Sequence, residues 1–426
     1  MALQHRRDLG CKELHRQTTV MKNTLVRGRA GKVFASLMLL SSLVACRKEA
    51  AEPVDITVGG LLSLTGNWST LGVASKAAME LAVEDMNTDF ANRSVPIRFS
   101  LRTADTRLEV AEAVRQMEAL QAGGVRFIVG PQSSAELAAV KPLADAGGTL
   151  VVSHASTAGS LALPGDAILR YCPGDAVETD AVAATLYAQG IRAIVAMSRD
   201  DVGNKGLQSS LVTHFTKRGG VVSAMTPYAT TTTDFGALLS ELKLRLTNYK
   251  NAHGASAVAV YLSSFDEGVS ILRSAAADPE LGSVRWAGGD GIVKSSALTS
   301  DAVASEFAVT TRFFAPEFGL PEADRSKWEP LSLRIKAKSG IEPDAFGIAS
   351  YDAVRVFGKV VEAGRGVPSP FASLLESFVT NSNGYVGAGG STRLDTNGDR
   401  LSGSYDYWSV NKSGAGYAWY KSGRSD

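Results

Sequence analysis

The sequence alternates short β-rich segments with longer segments of helical period, and this alternation restricts the chain to α/β folds. Apolar, β-rich segments occur at residues 56–62, 97–103, 127–129, 150–153, 193–197, 257–262 and 284–287. Helical patterns occur between them, at residues 73–90, 110–120, 135–146, 205–218 and 266–277. Such alternation predicts parallel sheets with helices on both faces.

The length of the chain favours two lobes over one sheet. The chain has 426 residues, and a single open sheet rarely absorbs a folded body of about 380 residues. In parallel sheets of this kind, ligands bind at the loops that follow the carboxyl ends of the strands. Lys and Arg total 44 against 43 Asp and Glu, so the sequence predicts no nucleic-acid partner.

The motifs of common enzyme classes are missing from the sequence. Cys11, Cys46 and Cys172 lie far apart, and the five histidines form no His-Glu-x-x-His pattern. The sequence contains no phosphate-binding loop, no Gly-x-Gly-x-x-Gly and no Gly-x-Ser-x-Gly. We therefore expect no catalytic residues, no metal site, no cofactor and no enzymatic activity.

The first fifty residues have the pattern of an export signal. From Met21, a candidate translation start, four basic residues precede an apolar run at 33–45 that ends in Leu-Val-Ala-Cys46. This ending resembles the bacterial lipobox, which predicts a signal peptide at 1–45, lipidation of Cys46 and a tether at 46–53. The protein would then be anchored by lipid in the cell envelope, facing the periplasm. An ordinary secretory signal and a buried apolar run are the alternatives.

Two loops after strands of the first half carry candidate binding groups. The loop 63–72 contains Trp68, which either packs beneath the loop or projects into a cleft. The loop 130–134 ends in Ser133 and Ser134 at a helix start. These serines either cap the helix or, with its free amide groups, bind a carboxylate.

Two further loops complete the set. The loop 153–157 offers hydroxyl and amide groups, and we expect His154 within it to be structural or merely near the pocket. In the loop 288–291, Asp290 is either a turn residue or an acceptor for a ligand ammonium group. Together the four loops predict a site that closes on a zwitterion.

Several ordered segments give the chain a family resemblance. They are LTGNWSTLG, ELAVEDMN, FIVGPQSS, SHAST, TDFGALLSELK, WAGGDG, PDAFGIASYDAV and LDTNGDR. From about residue 56 to 410 the chain resembles the leucine/isoleucine/valine-binding protein family. The resemblance implies a type I periplasmic-binding fold, in which two Rossmann-like lobes with parallel central sheets are joined by a three-strand hinge. It places lobe 1 at 54–174 and 312–382 and lobe 2 at 175–311 and 383–426, with crossings near 174, 311–314 and 380–387.

The resemblance also implies a set of ligand-binding residues. The carboxylate and ammonium contacts of the family match Ser134, Ala155 and Thr157, with Ser133 as the neighbouring alternative, and the acidic ammonium ligand matches Asp290. Positions that are often aromatic in the family are Leu71, Val202 and Ser264 here. The candidates for the rebuilt side-chain pocket are Val202 together with Trp68, Phe265 and Tyr228.

The function implied by the resemblance is that of a solute-binding lipoprotein of an ABC importer. Its partners would be an amino acid or related small molecule, a membrane permease and a separate ATPase. The alternative is a lipoprotein of the same fold that senses a ligand and signals to a membrane partner.

Two remaining features have structural interpretations. Cys172 is expected to be a small buried residue, since no partner for a disulfide remains in the mature chain. Asp395–Asp399 resembles the start of a calcium loop, but Arg400 replaces the required glycine, so a hairpin turn is favoured.

Overall fold

The computed structural model describes residues 52–401 and 403–425. The predicted signal peptide, Cys46 and most of the predicted tether lie outside the described residues. Within the described ranges, the helices are all too short or too polar to cross a membrane.

The first lobe is built on a sheet of five parallel strands. These are β1 (Val54–Leu62), β2 (Ile97–Asp105), β3 (Phe127–Val129), β4 (Leu150–Ser153) and β5 (Ile168–Arg170). They lie in the order β2-β1-β3-β4-β5. The connecting helices are α1 (Ser69–Asn92), α2 (Val110–Ala122) and α3 (Ser134–Gly147).

The second lobe repeats this arrangement and extends it. Its strands are β6 (Ala193–Ser198), β7 (Val221–Ala224), β8 (Val258–Ser263), β9 (Arg285–Gly288), β10 (Phe314–Phe318), β13 (Tyr405–Ser413) and β14 (Gly416–Arg424). Their order is β14-β13-β10-β9-β8-β6-β7, and only the pairings made by β13 are antiparallel. The helices of this part are α4 (Asp175–Ala188), α5 (Val202–Lys217), α6 (Gly236–His253), α7 (Gly268–Ala275), α8 (Pro279–Gly282), α9 (Ser296–Ser300) and α10 (Ala302–Thr310).

After β10 the chain returns to the first lobe. It forms α11 (Arg325–Ser339), α12 (Ala345–Gly364), α13 (Phe371–Asn383) and the short hairpin of β11 (Val386–Gly387) and β12 (Gly390–Ser391). β10 itself pairs with β9 and β13 in the second sheet, whereas the division based on the resemblance grouped residues 312–318 with lobe 1. The apolar sequence of β10 predicts a buried strand but carries no information on which sheet the strand joins.

Both faces of the first sheet are covered, which explains its continuous apolar strands. All three residues of β3 are buried. The Phe127 ring stacks on Phe357 of α12, with a centroid separation of 4.0 Å and an interplanar angle of 6°. Helices on both faces leave no solvated side to the central strands, so their sequences do not alternate between apolar and polar residues.

The strand orders fix where a ligand can bind. In the first sheet the order reverses between β1 and β3, and in the second it reverses between β6 and β8. Loops that leave these strands in opposite directions open a crevice at their carboxyl ends. The loops 63–68 and 130–133 therefore face the same side of the first sheet, as do 199–201 and 264–267 in the second.

Candidate functional site

A small cavity lies between the carboxyl ends of the two sheets. It is lined by Trp68, Gln132, Ser133, Ser134, Ala155, Thr157, Gly203, Asn204, Leu207, Phe265 and Asp290. Its closed volume is about 10 Å³, which is room for a single water molecule. A larger ligand therefore fits only when the walls of the cavity move apart.

The structure brings most of the sequence-predicted site residues to this cavity. Only Val202 and Tyr228 among those candidates do not line it. Val202 begins α5 and borders a wider neighbouring opening, which it shares with Ser133 and Phe265. The next two residues of α5, Gly203 and Asn204, occupy the cavity wall instead. Tyr228 is buried nearby and donates its hydroxyl hydrogen to Glu267 Oε1 at 2.7 Å.

Ser133 is the N-cap of α3. Its Oγ accepts the Glu136 backbone N–H at 3.3 Å, and the Glu136 carboxylate accepts the Ser133 backbone N–H at 3.4 Å and the Ser133 hydroxyl at 2.6 Å. This reciprocal capping box occupies the Ser133 side chain and satisfies two backbone donors at the start of the helix. The Ser133 hydroxyl therefore caps the helix. The neighbouring Ser134 is the serine whose hydroxyl contacts the loop after β4.

The loop after β4 presents unpaired amide groups beside Ser134. The Ser134 Oγ lies 2.9 Å from the Ser156 Oγ and accepts the Ala158 N–H at 3.3 Å. Among the described residues, no acceptor pairs with the backbone N–H groups of Ala155 or Thr157. Both residues are buried and line the cavity. Free amides close to a helix N-terminus form a site for a carboxylate.

The buried side chain of Arg170 holds this loop in place through hydrogen bonds to its backbone. Its Nη1 donates to the carbonyl oxygens of Ala158 at 2.6 Å and Ser156 at 3.3 Å. Its Nε and Nη2 donate to the two carboxylate oxygens of Asp399 at 2.5 and 2.6 Å. Arg170 thus fixes two carbonyl groups of the loop whose Ala155 and Thr157 amide groups are unpaired.

The loop with Trp68 joins the two lobes. The indole of Trp68 stacks on Phe265 with a centroid separation of 4.5 Å, and its backbone N–H donates to Asp266 Oδ2 at 3.1 Å. The Asn67 amide donates to Glu267 Oε2 at 2.6 Å. Trp68 is only 4% exposed yet lines the cavity, so it combines the two roles that its sequence context left open.

Gln132 holds the Trp68 loop in place. Its Oε1 accepts the Ser63 backbone N–H at 3.1 Å, and its Nε2 donates to the Trp68 carbonyl at 3.0 Å. The carboxamide thus connects the loop after β1 to the loop after β3. Sequence reasoning did not single out this residue, because a glutamine in a polar loop carries no pattern of its own.

The second lobe contributes an acidic wall. Asp290 follows β9 and is 5% exposed. Burial raises the pKa of its carboxyl above the usual range, and the charge of Asp175 adds to this effect. Asp175, the first residue of α4, has a pKa raised to about 6 by burial, and the Thr157 hydroxyl opposes that shift. The first lobe thus offers hydrogen-bond donors and the second offers carboxyl groups.

Three other residues have the structural roles expected of them. His154 is fully buried, its Nε2 lies 3.1 Å from the Ser75 Oγ, and burial lowers its pKa to about 3. Cys172 is a buried free thiol that donates to the Ser156 carbonyl at 3.2 Å. Asp395 accepts the backbone N–H groups of Asn397 and Asp399, which defines a tight turn. Within the described ranges, no group of three or more His, Cys, Asp or Glu is placed to hold a metal ion.

The comparisons with known proteins agree with this architecture. A family model described as "Receptor family ligand binding region" matches residues 74–413. An uncharacterized protein of Methanocaldococcus jannaschii is 24% identical in an alignment of 380 positions that covers 84% of this chain and 88% of that protein.

Two solved structures illustrate the similarity in fold. A leucine-binding protein from Thermotoga maritima is 23% identical with a TM-score of 0.67, over 86% of this chain and 99% of that one. A solute-binding protein of an ABC transporter from R. palustris, in complex with benzoate, is 15% identical with a TM-score of 0.68, over 87% and 96%.

The two lobes and the cavity between them define a ligand-binding protein of the type I periplasmic-binding fold. The chain belongs to the family of receptor ligand-binding regions. The description of the family is that of a ligand-binding region.

Proposed function

We propose that the protein binds an α-amino acid, or a close relative with both an ammonium and a carboxylate group, between its two lobes. The observation that carries this proposal is the opposite character of the two cavity walls. Free amides of Ala155 and Thr157 face the cavity from the first lobe. Asp290 faces it from the second lobe. A zwitterion satisfies both walls at once and favours the closed arrangement, because it binds that arrangement better than the open one.

In this proposal the carboxylate of the ligand binds at the N-terminus of α3. The backbone N–H groups of Ala155 and Thr157 and the hydroxyl of Ser134 are the donors. Ser133 contributes through its cap, which fixes the first turn of α3. Trp68 and Phe265 enclose the side chain of the ligand as a stacked pair. Val202 shapes the outer opening rather than the headgroup site.

The ligands named for the two structural neighbours differ in whether they carry an ammonium group. The protein from Thermotoga maritima is called a leucine-binding protein, and the protein from R. palustris holds benzoate. Benzoate has a carboxylate and no ammonium group. A carboxylate site is therefore compatible with both neighbours, whereas the role of Asp290 is specific to ligands that carry an ammonium group.

A thermal-shift screen of the purified protein tests the ligand class. The screen covers the common amino acids, their amides and the corresponding carboxylic acids, including benzoate. A ligand at 100 times its Kd adds about 2.7 kcal/mol to the free energy of unfolding. We expect an amino acid to stabilise the protein, and its amide and its deaminated acid to have much smaller effects.

Two matched substitutions then test Asp290. Asp290→Asn is expected to weaken amino-acid binding by about ten- to hundredfold, the usual effect of losing a hydrogen bond to a charged group. Asp200→Asn removes the same charge from the same lobe. Asp200 is half-exposed and pairs with Lys205 at 2.7 Å, so we expect Asp200→Asn to leave binding unchanged. Stabilisation by acids that lack an ammonium group, unaffected by Asp290→Asn, would contradict the proposed role.

We further propose that the protein is an envelope lipoprotein that delivers its ligand to the permease of an ABC importer. Mature protein would begin at Cys46 and carry the lipid there. Intact-mass spectrometry of the membrane fraction tests this, with Cys46→Ser as the control that should accumulate as an unlipidated precursor. We also propose that lobe 1 comprises residues 54–174 and about 319–391, and lobe 2 the rest of the folded body.

A further inference from the structure

A second carboxyl group lies directly behind Asp290. Glu178 belongs to the first turn of α4 and is 0% exposed. Its Oε1 accepts the backbone N–H of Asp290 at 3.2 Å. Its Oε2 is buried and has no hydrogen-bond partner among the described residues. An ionised Glu178 would therefore be a buried charge with a single neutral donor, which is costly.

The groups around this pair provide little positive charge. Those that face it, or respond to it electrostatically, are Asp175 on α4, Tyr261 on β8, Asp344 before α12, Tyr405 on β13 and Cys172 after β5. The nearby cations already have carboxylate partners. Arg170 pairs with Asp399, and Lys294 pairs with Glu317 at 3.0 Å.

These surroundings favour one shared proton. Burial raises the pKa of Glu178 well above its ordinary value, and the charges of Asp290 and Asp175 raise it further. The interaction between the two carboxyl side chains raises the pKa of Glu178 and opposes the rise in the pKa of Asp290. Two carboxyl groups in contact inside a protein do not both ionise near neutral pH. The proton therefore belongs on Glu178 and the charge on Asp290.

Building on the proposed function, we propose that Glu178 is a positioning residue that, as a neutral acid, donates a hydrogen bond to the Asp290 carboxylate and holds it toward the ligand. A proton on Oε2 gives this oxygen the partner that it lacks. Of this pair, only Asp290 then presents a negative charge to the cavity, matched to a ligand with one ammonium group. The pair selects monocationic headgroups and disfavours ligands with a second negative charge at that end.

Two substitutions of Glu178 separate its hydrogen bond from its charge. In Glu178→Gln the amide keeps a donor for Asp290 and cannot ionise. In Glu178→Leu the donor is lost while the size is similar. Isothermal titration of the full chain uses L-leucine as the probe and, if L-leucine does not bind, the amino acid with the largest thermal shift.

We expect Glu178→Gln to bind within about threefold of wild type. We expect Glu178→Leu to bind about ten- to hundredfold more weakly, the effect of losing a hydrogen bond to a charged group. Equal affinities of the two variants, or a loss in Glu178→Gln as large as that in Asp290→Asn, would overturn the proposal. Circular dichroism verifies that each variant is folded.

A measurement without ligand tests the proton itself. Since the pKa of Glu178 is higher in the folded state than the ordinary value of about 4.3 in the unfolded state, its neutral form stabilises the fold at low pH. This contribution is lost as the pH rises from about 4.3 through the raised folded pKa. The Tm of wild type should therefore fall relative to that of Glu178→Gln as the pH rises above about 4.3.

Calorimetric titration tests the proposed amino-acid binding, and the pH dependence of Tm tests the proton on Glu178. If no amino acid binds to wild type, the proposed function fails, and the pH series still decides whether Glu178 holds a proton. A Tm difference between wild type and Glu178→Gln that stays constant over the whole pH range shows that Glu178 does not hold the proton, and it overturns the proposal.

Discussion

The Asp399→Ala substitution tests the Arg170–Asp399 ion pair, which supports the loop after β4. The side chains of Arg170 and Asp399 are 2% and 11% exposed, and they meet through two hydrogen bonds of 2.5 and 2.6 Å. The same guanidinium holds the carbonyls of Ser156 and Ala158. Removing the carboxylate leaves a buried cation without its counter-ion and weakens the support of the loop that carries the free amides.

Removal of one partner from a buried pair costs about 3–5 kcal/mol. We expect the free energy of unfolding of Asp399→Ala, measured by urea titration, to fall by this amount. Ligand affinity should fall as well, since the amides of Ala155 and Thr157 are no longer held in place. It is measured without urea, at a temperature at which the variant is folded. A double substitution, Arg170→Met with Asp399→Leu, should cost less than Asp399→Ala, because it leaves no charge uncompensated.

An exposed pair of the same residue types provides the control. Arg98 and Asp55 lie 2.7 Å apart on the edge of the first sheet, with side chains that are 65% and 63% exposed. Asp55→Ala should cost about 0–1 kcal/mol. If Asp399→Ala lowers the free energy of unfolding no more than Asp55→Ala does, burial does not strengthen the contribution of the Arg170–Asp399 pair to stability. That result would refute the prediction.

Three further predictions concern the cavity. Trp68→Ala and Phe265→Ala should each weaken ligand binding, and a double-mutant cycle should give a coupling of about 0.5–1.5 kcal/mol for the stacked rings; additive effects would contradict a direct contact. Ser133→Ala should lower the free energy of unfolding, measured by urea titration, by about 0.5–2 kcal/mol through loss of the cap. Ser134→Ala should chiefly raise the Kd for the ligand, measured by calorimetric titration. The opposite pattern would show that Ser134 is the cap and Ser133 the ligand contact. Because the pKa of Asp290 is raised, affinity for an amino acid should fall as the pH drops below neutral, and in Asp290→Asn the calorimetric Kd should no longer follow this dependence.

The architecture could be predicted because it depends on local patterns. Alternating strands and helices define parallel sheets, and parallel sheets place ligands at the carboxyl ends of strands. The loops that contain Trp68, Ser134, Thr157 and Asp290 were identified by this reasoning, and the structure brings all four to one cavity. Which serine caps the helix was left open by the sequence, since Ser133 and Ser134 are both suitable N-cap residues.

The residues that were missed lie where the sequence signal has another explanation. Glu178 occupies the first helical turn of α4, where an acidic residue usually complements the helix dipole. Asn204 lies inside α5, and Asp399 belongs to a polar turn far from the cavity residues in sequence. Their importance arises from tertiary contacts with Asp290, the cavity and Arg170, and no periodicity in one sequence encodes such contacts.

The contacts between the lobes also govern how fast a ligand can leave. The closed volume of the cavity is only about 10 Å³, and the stacked rings of Trp68 and Phe265 form part of its wall. If a ligand binds here as proposed, it escapes only after the lobes separate, and the rate of opening is then the upper limit of its dissociation rate. A contact that never touches the ligand, such as the 2.9 Å approach of the Thr70 and Ser296 hydroxyls, lengthens its residence time. Release is then fastest wherever another molecule pulls the lobes apart.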